Sequence, residues 1–152
     1  MRVILQRVSK ASVLVNNNIV GNINKGLLVL VGFTNTDTSK EIDYMVDKII
    51  NLRIFDDDNG VMNRSLKDIN GSILSVSQFT LYADTSHGRR PSYTKALNGD
   101  RAIILYEEFN RKIKEAGINI ETGIFGANME VSLINDGPVS IIIERENKNG
   151  EK

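Results

Sequence analysis

Cysteine and tryptophan are absent from this chain of 152 residues, which holds a single histidine and two prolines. Without cysteine there can be no disulfide, thiolate metal site or thiol nucleophile. With His87 as the only imidazole, a zinc site would need carboxylates alone, against the metal's preference for nitrogen and sulfur. Neither a Walker loop, a G-x-G-x-x-G turn nor a G-x-S-x-G elbow is present, so nucleotide hydrolysis, dinucleotide binding and a conventional serine hydrolase have no motif behind them. A net charge of zero, from 19 basic and 19 acidic residues, argues against a protein that grips nucleic acid mainly by neutralising phosphates. The apolar run in MRVILQRVSK is too short for a signal peptide, and no segment has the length of a membrane span. A cytoplasmic protein without membrane association is expected.

What is present patterns as one α+β domain. Residues 2–8 and 11–15 alternate β-branched and polar residues as strands do, and the Asn16–Asn18 turn returns the chain into Ile19–Ile23. Leu27–Phe33 is continuously apolar, as in a strand buried on both faces. Thr38 or Ser39 can cap a helix whose buried stripe is Ile42, Met45, Val46 and Ile49. The acidic stretch Asp56–Gly60 lacks EF-hand spacing and reads as a turn, followed by an extended segment to Ser65. Ile73–Leu81 reads as a central strand, and residues 83–99 as a long polar loop. Asp100 can cap a second helix with Ile103, Tyr106, Phe109 and Ile113 buried, ended by Gly117. Ile118–Glu121, Met129–Ile134 and Val139–Ile143 complete seven or eight strands. The expected fold is a mostly antiparallel sheet curled toward a barrel, with two main helices packed on it. One domain over 1–144 and a polar tail over 145–152 are the expected boundaries.

Two segments carry candidate chemistry. Strand alternation would put Ser77, Phe79 and Leu81 on one face and Gln78 and Thr80 on the other. Their local reading is a strand whose polar groups satisfy neighbouring backbone. Asn135-Asp136-Gly137-Pro138-Val139-Ser140 reads locally as a trans turn launching the last strand, although a Gly-Pro step can also present bare backbone to another molecule. His87 reads first as an exposed loop residue, then as a phosphate contact. Basic patches are Arg7 with Lys10 and Arg89 with Arg90, while Arg111, Lys112 and Lys114 suit the solvated face of a helix.

Together, Ser77-Gln78-Phe79-Thr80-Leu81 and Asn135-Asp136-Gly137-Pro138-Val139-Ser140 resemble the two signatures of the D-aminoacyl-tRNA deacylases, Ser-Gln-X-Thr-Leu and Asn-X-Gly-Pro-Val-Thr. Gln6-Arg7-Val8, Asn51–Phe55, Met62-Asn63, Ser65-Leu66, Gly88–Ser92 and Gly123–Met129 fit as well, so the similarity spans Met1 to about Glu144. Ser140 departs from the usual Thr; it keeps the hydroxyl and loses a methyl. The resemblance implies a homodimer with its active site at the interface, acting on the acceptor end of aminoacyl-tRNA. It implies a cis Gly137-Pro138 peptide held by Arg7 and projected into the partner's pocket, with Ser77–Thr80 as the pocket floor and Phe125 and Met129 beside the substrate. Such a backbone wall could clash with an L Cβ while admitting D-residues and glycine. No metal and no cofactor is implied. Thr80 has no adjacent base, which favours water activated by the terminal ribose 2′-hydroxyl, with N–H groups near Phe79 and Thr80 as oxyanion donors. Lys10, Arg89 and Arg90 are the candidate tRNA contacts. The alternatives are a Thr80-dependent small-ester hydrolase, a dimeric module binding RNA ends without chemistry, and a related deacylase with a trans Gly-Pro and relaxed chirality.

Overall fold

In a computed structural model that describes residues 1–147, one long strand organises the sheet. β1 (Arg2–Val15) runs unbroken where the sequence suggests two strands. Its buried set changes phase midway: Val3, Leu5 and Arg7 are buried, then Val8, Ala11 and Val13, with Ser9 and Lys10 exposed between them. The polar pair that looks like a gap is therefore where the β1–β8 register shifts, between Val8 and Lys10, and where the buried residues pass from one core cluster to the other. Its first half pairs antiparallel with β3 (Gly26–Gly32), from Arg2 opposite Gly32 to Val8 opposite Gly26. Its second half pairs with β2 (Asn18–Ile23), from Ala11 opposite Ile23. Because β2 and β3 share one edge of β1, the other is left for β8 (Glu130–Glu144), which pairs along most of its length.

Hairpin order ends there. β6 (Ser72–Ser77) lies parallel to β3, and β7 (Asn119–Thr122) parallel to β6. β4 (Phe55–Asp56) and β5 (Met62–Arg64) form a separate two-stranded sheet. The main sheet runs β2-β1-β3-β6-β7, and its ends approach: a Cβ on Gly21 would lie 2.7 Å from the Thr122 carbonyl oxygen. Glycine is what lets the sheet curl this far toward a barrel.

α1 (Ser39–Asn51) starts at Thr38, whose side chain and that of Glu41 form a capping box. α2 (Gly99–Glu115) is capped by Asn98 rather than the expected Asp100: Asn98 Oδ1 accepts from the Asp100 N–H at 2.8 Å. Ala102 joins Tyr106, Phe109 and Ile113 on its buried stripe, and Ile103 is only half-buried. Leu27, Val29 and Val31 of β3 face both helices, while Leu28 faces a second cluster with Val8, Val13, Leu74 and Val76. β3 is thus buried on both faces, as its unbroken apolar run implies. The Met1 amine and Asp37 form a buried ion pair at 2.6 Å, and the Arg145 N–H donates to the Met1 carbonyl. The expected polar tail beyond Asn147 falls outside the described residues.

Candidate active site

The strand expected to continue to Leu81 stops at Ser77. Gln78 still donates its N–H to the Val31 carbonyl, and the chain then enters a single 3-10 turn, Phe79–Tyr82. Two features end the strand. Gln78 Nε2 donates to Thr80 Oγ1, a local bond that competes with extended pairing. Gly32 also lets the turn fold back onto β3, since a Cβ there would meet the Gln78 oxygen at 3.0 Å and Leu81 Cβ at 3.1 Å. The two-face alternation expected for Ser77 to Leu81 is accordingly lost.

This turn forms one wall of a cavity of about 580 Å³. Ser77, Gln78 and Phe79 line it with Val31, Phe125, Ala127, Asn128 and Met129, so residues some fifty positions apart in sequence share one wall. A Cβ on Gly123 would lie 2.4 Å from Met129 Sδ, so glycine leaves the space in which Met129 completes the wall. Among the described residues, no Asp, Glu, Lys, Arg or His lines the cavity. Thr80 does not line it either. Its hydroxyl accepts from Gln78, and among the described residues no imidazole, carboxylate or amine is bonded to it. Tyr93 is the residue that sequence reasoning passed over: it lines the mouth and meets Phe79 edge-on, centroids 5.2 Å apart. The only signal for it was an aromatic in an otherwise polar loop.

Arg7, Gly137 and Pro138 come together elsewhere, outside that cavity. The segment expected to be a turn between two strands lies inside β8, and the Gly137-Pro138 peptide is cis. Gln6 pairs with Ser140 and Val8 with Asn135, so residues 136–139 form a bulge opposite Arg7 alone. The base of the bulge is closed by Asn135, whose Oδ1 accepts from the Val139 N–H at 2.8 Å and whose Nδ2 donates to Ser140 Oγ at 2.9 Å. Arg7 holds its top: Nε donates to the Asp136 carbonyl at 2.9 Å, and Nη1 to the Ile54 carbonyl at 2.9 Å and Asp56 Oδ1 at 3.2 Å. Gly137 has φ +134°, a region essentially reserved for glycine, and a Cβ there would sit 3.1 Å from Arg7 Nη2. Both Gly137 and Pro138 are exposed, whereas Arg7 is buried.

The remaining candidates are not gathered at either place. Lys10 is exposed on β1 beside a different depression, and Arg89 and Arg90 are exposed in the 83–96 loop. His87 is exposed too. Ser86 Oγ donates to Asp84 Oδ1 at 2.6 Å and sits 2.8 Å from His87 Nδ1, so serine occupies the middle of the chain, where a catalytic triad has histidine. The Ser86 hydroxyl and N–H hold the Asp84 carboxyl below the usual range. Under the pocket, Tyr106 donates to the Ser75 carbonyl at 2.8 Å and packs against Phe125, and burial raises its phenol.

Residues 4–144 match the family model described as D-Tyr-tRNA(Tyr) deacylase. The chain belongs to that family. Among relatives in the D-Tyr-tRNA(Tyr) deacylase family, the D-aminoacyl-tRNA deacylase of Exiguobacterium sp. strain AT1b is 54% identical over 145 residues, covering 95% of this chain and 99% of its own. That of Geobacillus sp. strain WCH70 is 52% identical over the full length of both. Of solved structures, the c-Myc DNA unwinding element binding protein superposes with a TM-score of 0.91 at 38% identity, covering 97% of this chain and all of its own. A probable eukaryotic D-amino acid tRNA deacylase gives 0.82 at 20% identity over 93% and 97%, a likeness of fold. No described helix is long and apolar enough to cross a membrane.

Proposed function

We propose that this family member hydrolyses the ester joining a D-amino acid to the terminal adenosine of tRNA, clears glycine from mischarged tRNA by the same route, and rejects L-aminoacyl esters. The observation that carries this reading is the Gly137-Pro138 bulge. Its Gly137-Pro138 step is exposed, has no side chain at Gly137, is held by a buried arginine, and lies outside the pocket of its own protomer. Such a stretch is built to present main chain to something else, and the pocket of a second copy is the fitting recipient. Ile134 and Ile142 on the same strand are 50% and 66% exposed, apolar surface that a homodimer would cover. A backbone wall in that position excludes an L Cβ by contact and leaves the D direction open, whatever the side chain. Glycine, lacking a Cβ, passes.

Chemistry in an uncharged pocket falls to the substrate and the main chain. The N–H groups of Phe79 and Thr80 open the 3-10 turn, where first-turn donors have no partner within the turn. Aimed at the ester carbonyl, each would stabilise the oxyanion by about 3 kcal/mol. The 2′-hydroxyl of the terminal ribose then activates water, in the role no side chain beside Thr80 fills. Phe125 and Met129 bound the substrate, and Lys10, Arg89 and Arg90 supply the few phosphate contacts that a neutral protein gripping only an acceptor end requires.

Hydrolysis of matched D- and L-aminoacyl-tRNA tests the reading, with glycyl-tRNA as a third substrate. D and glycine esters should be cleaved and the L ester spared; equal D and L rates overturn it.

A further inference from the structure

Arg7 faces a bulge in which the β1–β8 ladder is interrupted on both sides, so the side chain does what ladder bonds do elsewhere. Arg7 is 6% exposed, and its guanidinium is fixed at two ends. Nε reaches the bulge at the Asp136 carbonyl, while Nη1 is drawn the other way, to the Ile54 carbonyl and to Asp56 Oδ1. Those two acceptors belong neither to β1 nor to β8. They lie where α1 passes into the β4–β5 hairpin, whose turn is separately braced: Asp57 Oδ1 accepts from the Asn59 and Val61 N–H groups, and Arg53 Nε donates to the Asn63 carbonyl at 2.8 Å. A planar guanidinium pinned at one edge has little freedom left at the other.

We propose that Asp56 is a positioning residue for the chiral filter, an inference that rests on the function proposed above. The hairpin is the fixed shoulder, Asp56 is the charged group through which it holds Arg7, and Arg7 in turn sets where Gly137 and Pro138 stand. Asp136 Oδ2 also approaches Arg7 Nε, at 3.7 Å, but it moves with the bulge and cannot anchor it. Ile54 offers a neutral carbonyl. Among the described residues, only Asp56 brings Arg7 a charge from outside the two strands, at 3.2 Å from Nη1. With half of its side chain in solvent, it can be truncated without opening a cavity.

The experiment compares Asp56→Ala with Asp58→Ala in the full-length protein. Asp58 lies in the same hairpin and pairs with Arg64 at 3.1 Å, away from Arg7. Hydrolysis of D- and L-aminoacyl-tRNA is measured for both, alongside the thermal midpoint. Asp56→Ala should lower the D-over-L rate ratio by about tenfold, the equivalent of one charge-assisted hydrogen bond. Asp58→Ala should leave the ratio at its wild-type value. Asp56→Asn keeps an acceptor oxygen but loses the charge, so it should lower the ratio by about threefold. If the alanine variant does not fold it serves as the readout, and an Asp56→Asn ratio at the wild-type value then overturns the role of Asp56. Combining Asp56→Ala with Arg7→Lys should add little to Arg7→Lys alone, because both changes act through one guanidinium. A ratio for Asp56→Ala equal to that of Asp58→Ala, or fully additive effects with Arg7→Lys, overturns the role of Asp56 and leaves the filter standing. A wild-type protein that does not prefer D over L overturns both.

Discussion

Thr80 is the residue on which the two chemical readings of this site part, and Thr80→Ala separates them by orders of magnitude. The substitution removes one hydroxyl, which accepts from Gln78 Nε2 and lies outside the cavity wall. Losing one half-buried neutral hydrogen bond costs about 0.5–1.5 kcal/mol. In a chain of this size that lowers the thermal midpoint by about 1–6 °C. Should the whole of that loss fall on the transition state, through a slacker Gln78 and 3-10 turn, the rate drops by about tenfold at most. Removing a true nucleophile costs on the order of 10⁶. Single-turnover hydrolysis of D-aminoacyl-tRNA by wild type, Thr80→Ala and Thr80→Ser decides the matter, with circular dichroism confirming the fold. The same series run on a substrate ending in 2′-deoxyadenosine should show the wild type failing there, since water then lacks its activating group. A loss beyond about a thousandfold in folded Thr80→Ala, or a trapped acyl-Thr80 ester, would refute substrate-assisted catalysis.

Arg7→Met removes the donors that serve two backbone carbonyls, one of them at the buried Ile54, and should destabilise the fold by about 3 kcal/mol, or about 6–12 °C in the thermal midpoint. A midpoint within about 2 °C of wild type would show that these bonds hold nothing. Alkaline titration probes the tyrosines. Burial raises the phenols of Tyr82 and Tyr106 above the ordinary value, so the native state keeps protons that the unfolded chain releases. Their contribution to stability is whole below about pH 10 and declines as pH climbs toward the raised folded values. Absorbance at 295 nm should therefore show at least two of the four tyrosines ionising only together with loss of the far-UV signal. Ionisation of all four in a still-folded protein would contradict the buried placement.

Local pattern alone was enough for the elements whose cause is local. The capping box at Thr38 and Glu41, the apolar stripe of α2 and the doubly buried run of β3 can all be read from spacing, because caps and periodicities are set within a few residues. Strand continuity was a different matter. Ser9-Lys10 and Asn135–Pro138 look like breaks, yet β1 and β8 run through them, since a strand continues wherever its neighbour's ladder resumes. Ser77–Leu81 failed in the opposite sense: its alternation suits a strand, and the fold of the turn against Gly32 ends it early.

By itself, the sequence determined the absences that rule out thiol, imidazole-zinc and nucleotide-hydrolysing chemistry, the two helices and most of the strand segments, and the two motifs that mark the family. Tertiary structure alone decided that Ser77 and Phe79 share a cavity with Phe125 and Met129, that the Thr80 side chain bonds to Gln78 instead of lining it, and that Gly137 and Pro138 stand outside it. It also decided that Arg7 is held by Asp56 from a hairpin about fifty residues away in sequence. The reason is range. Composition and periodicity act over one or two turns of chain, whereas a pocket wall or a buried guanidinium is satisfied by whatever the sheet's register brings beside it.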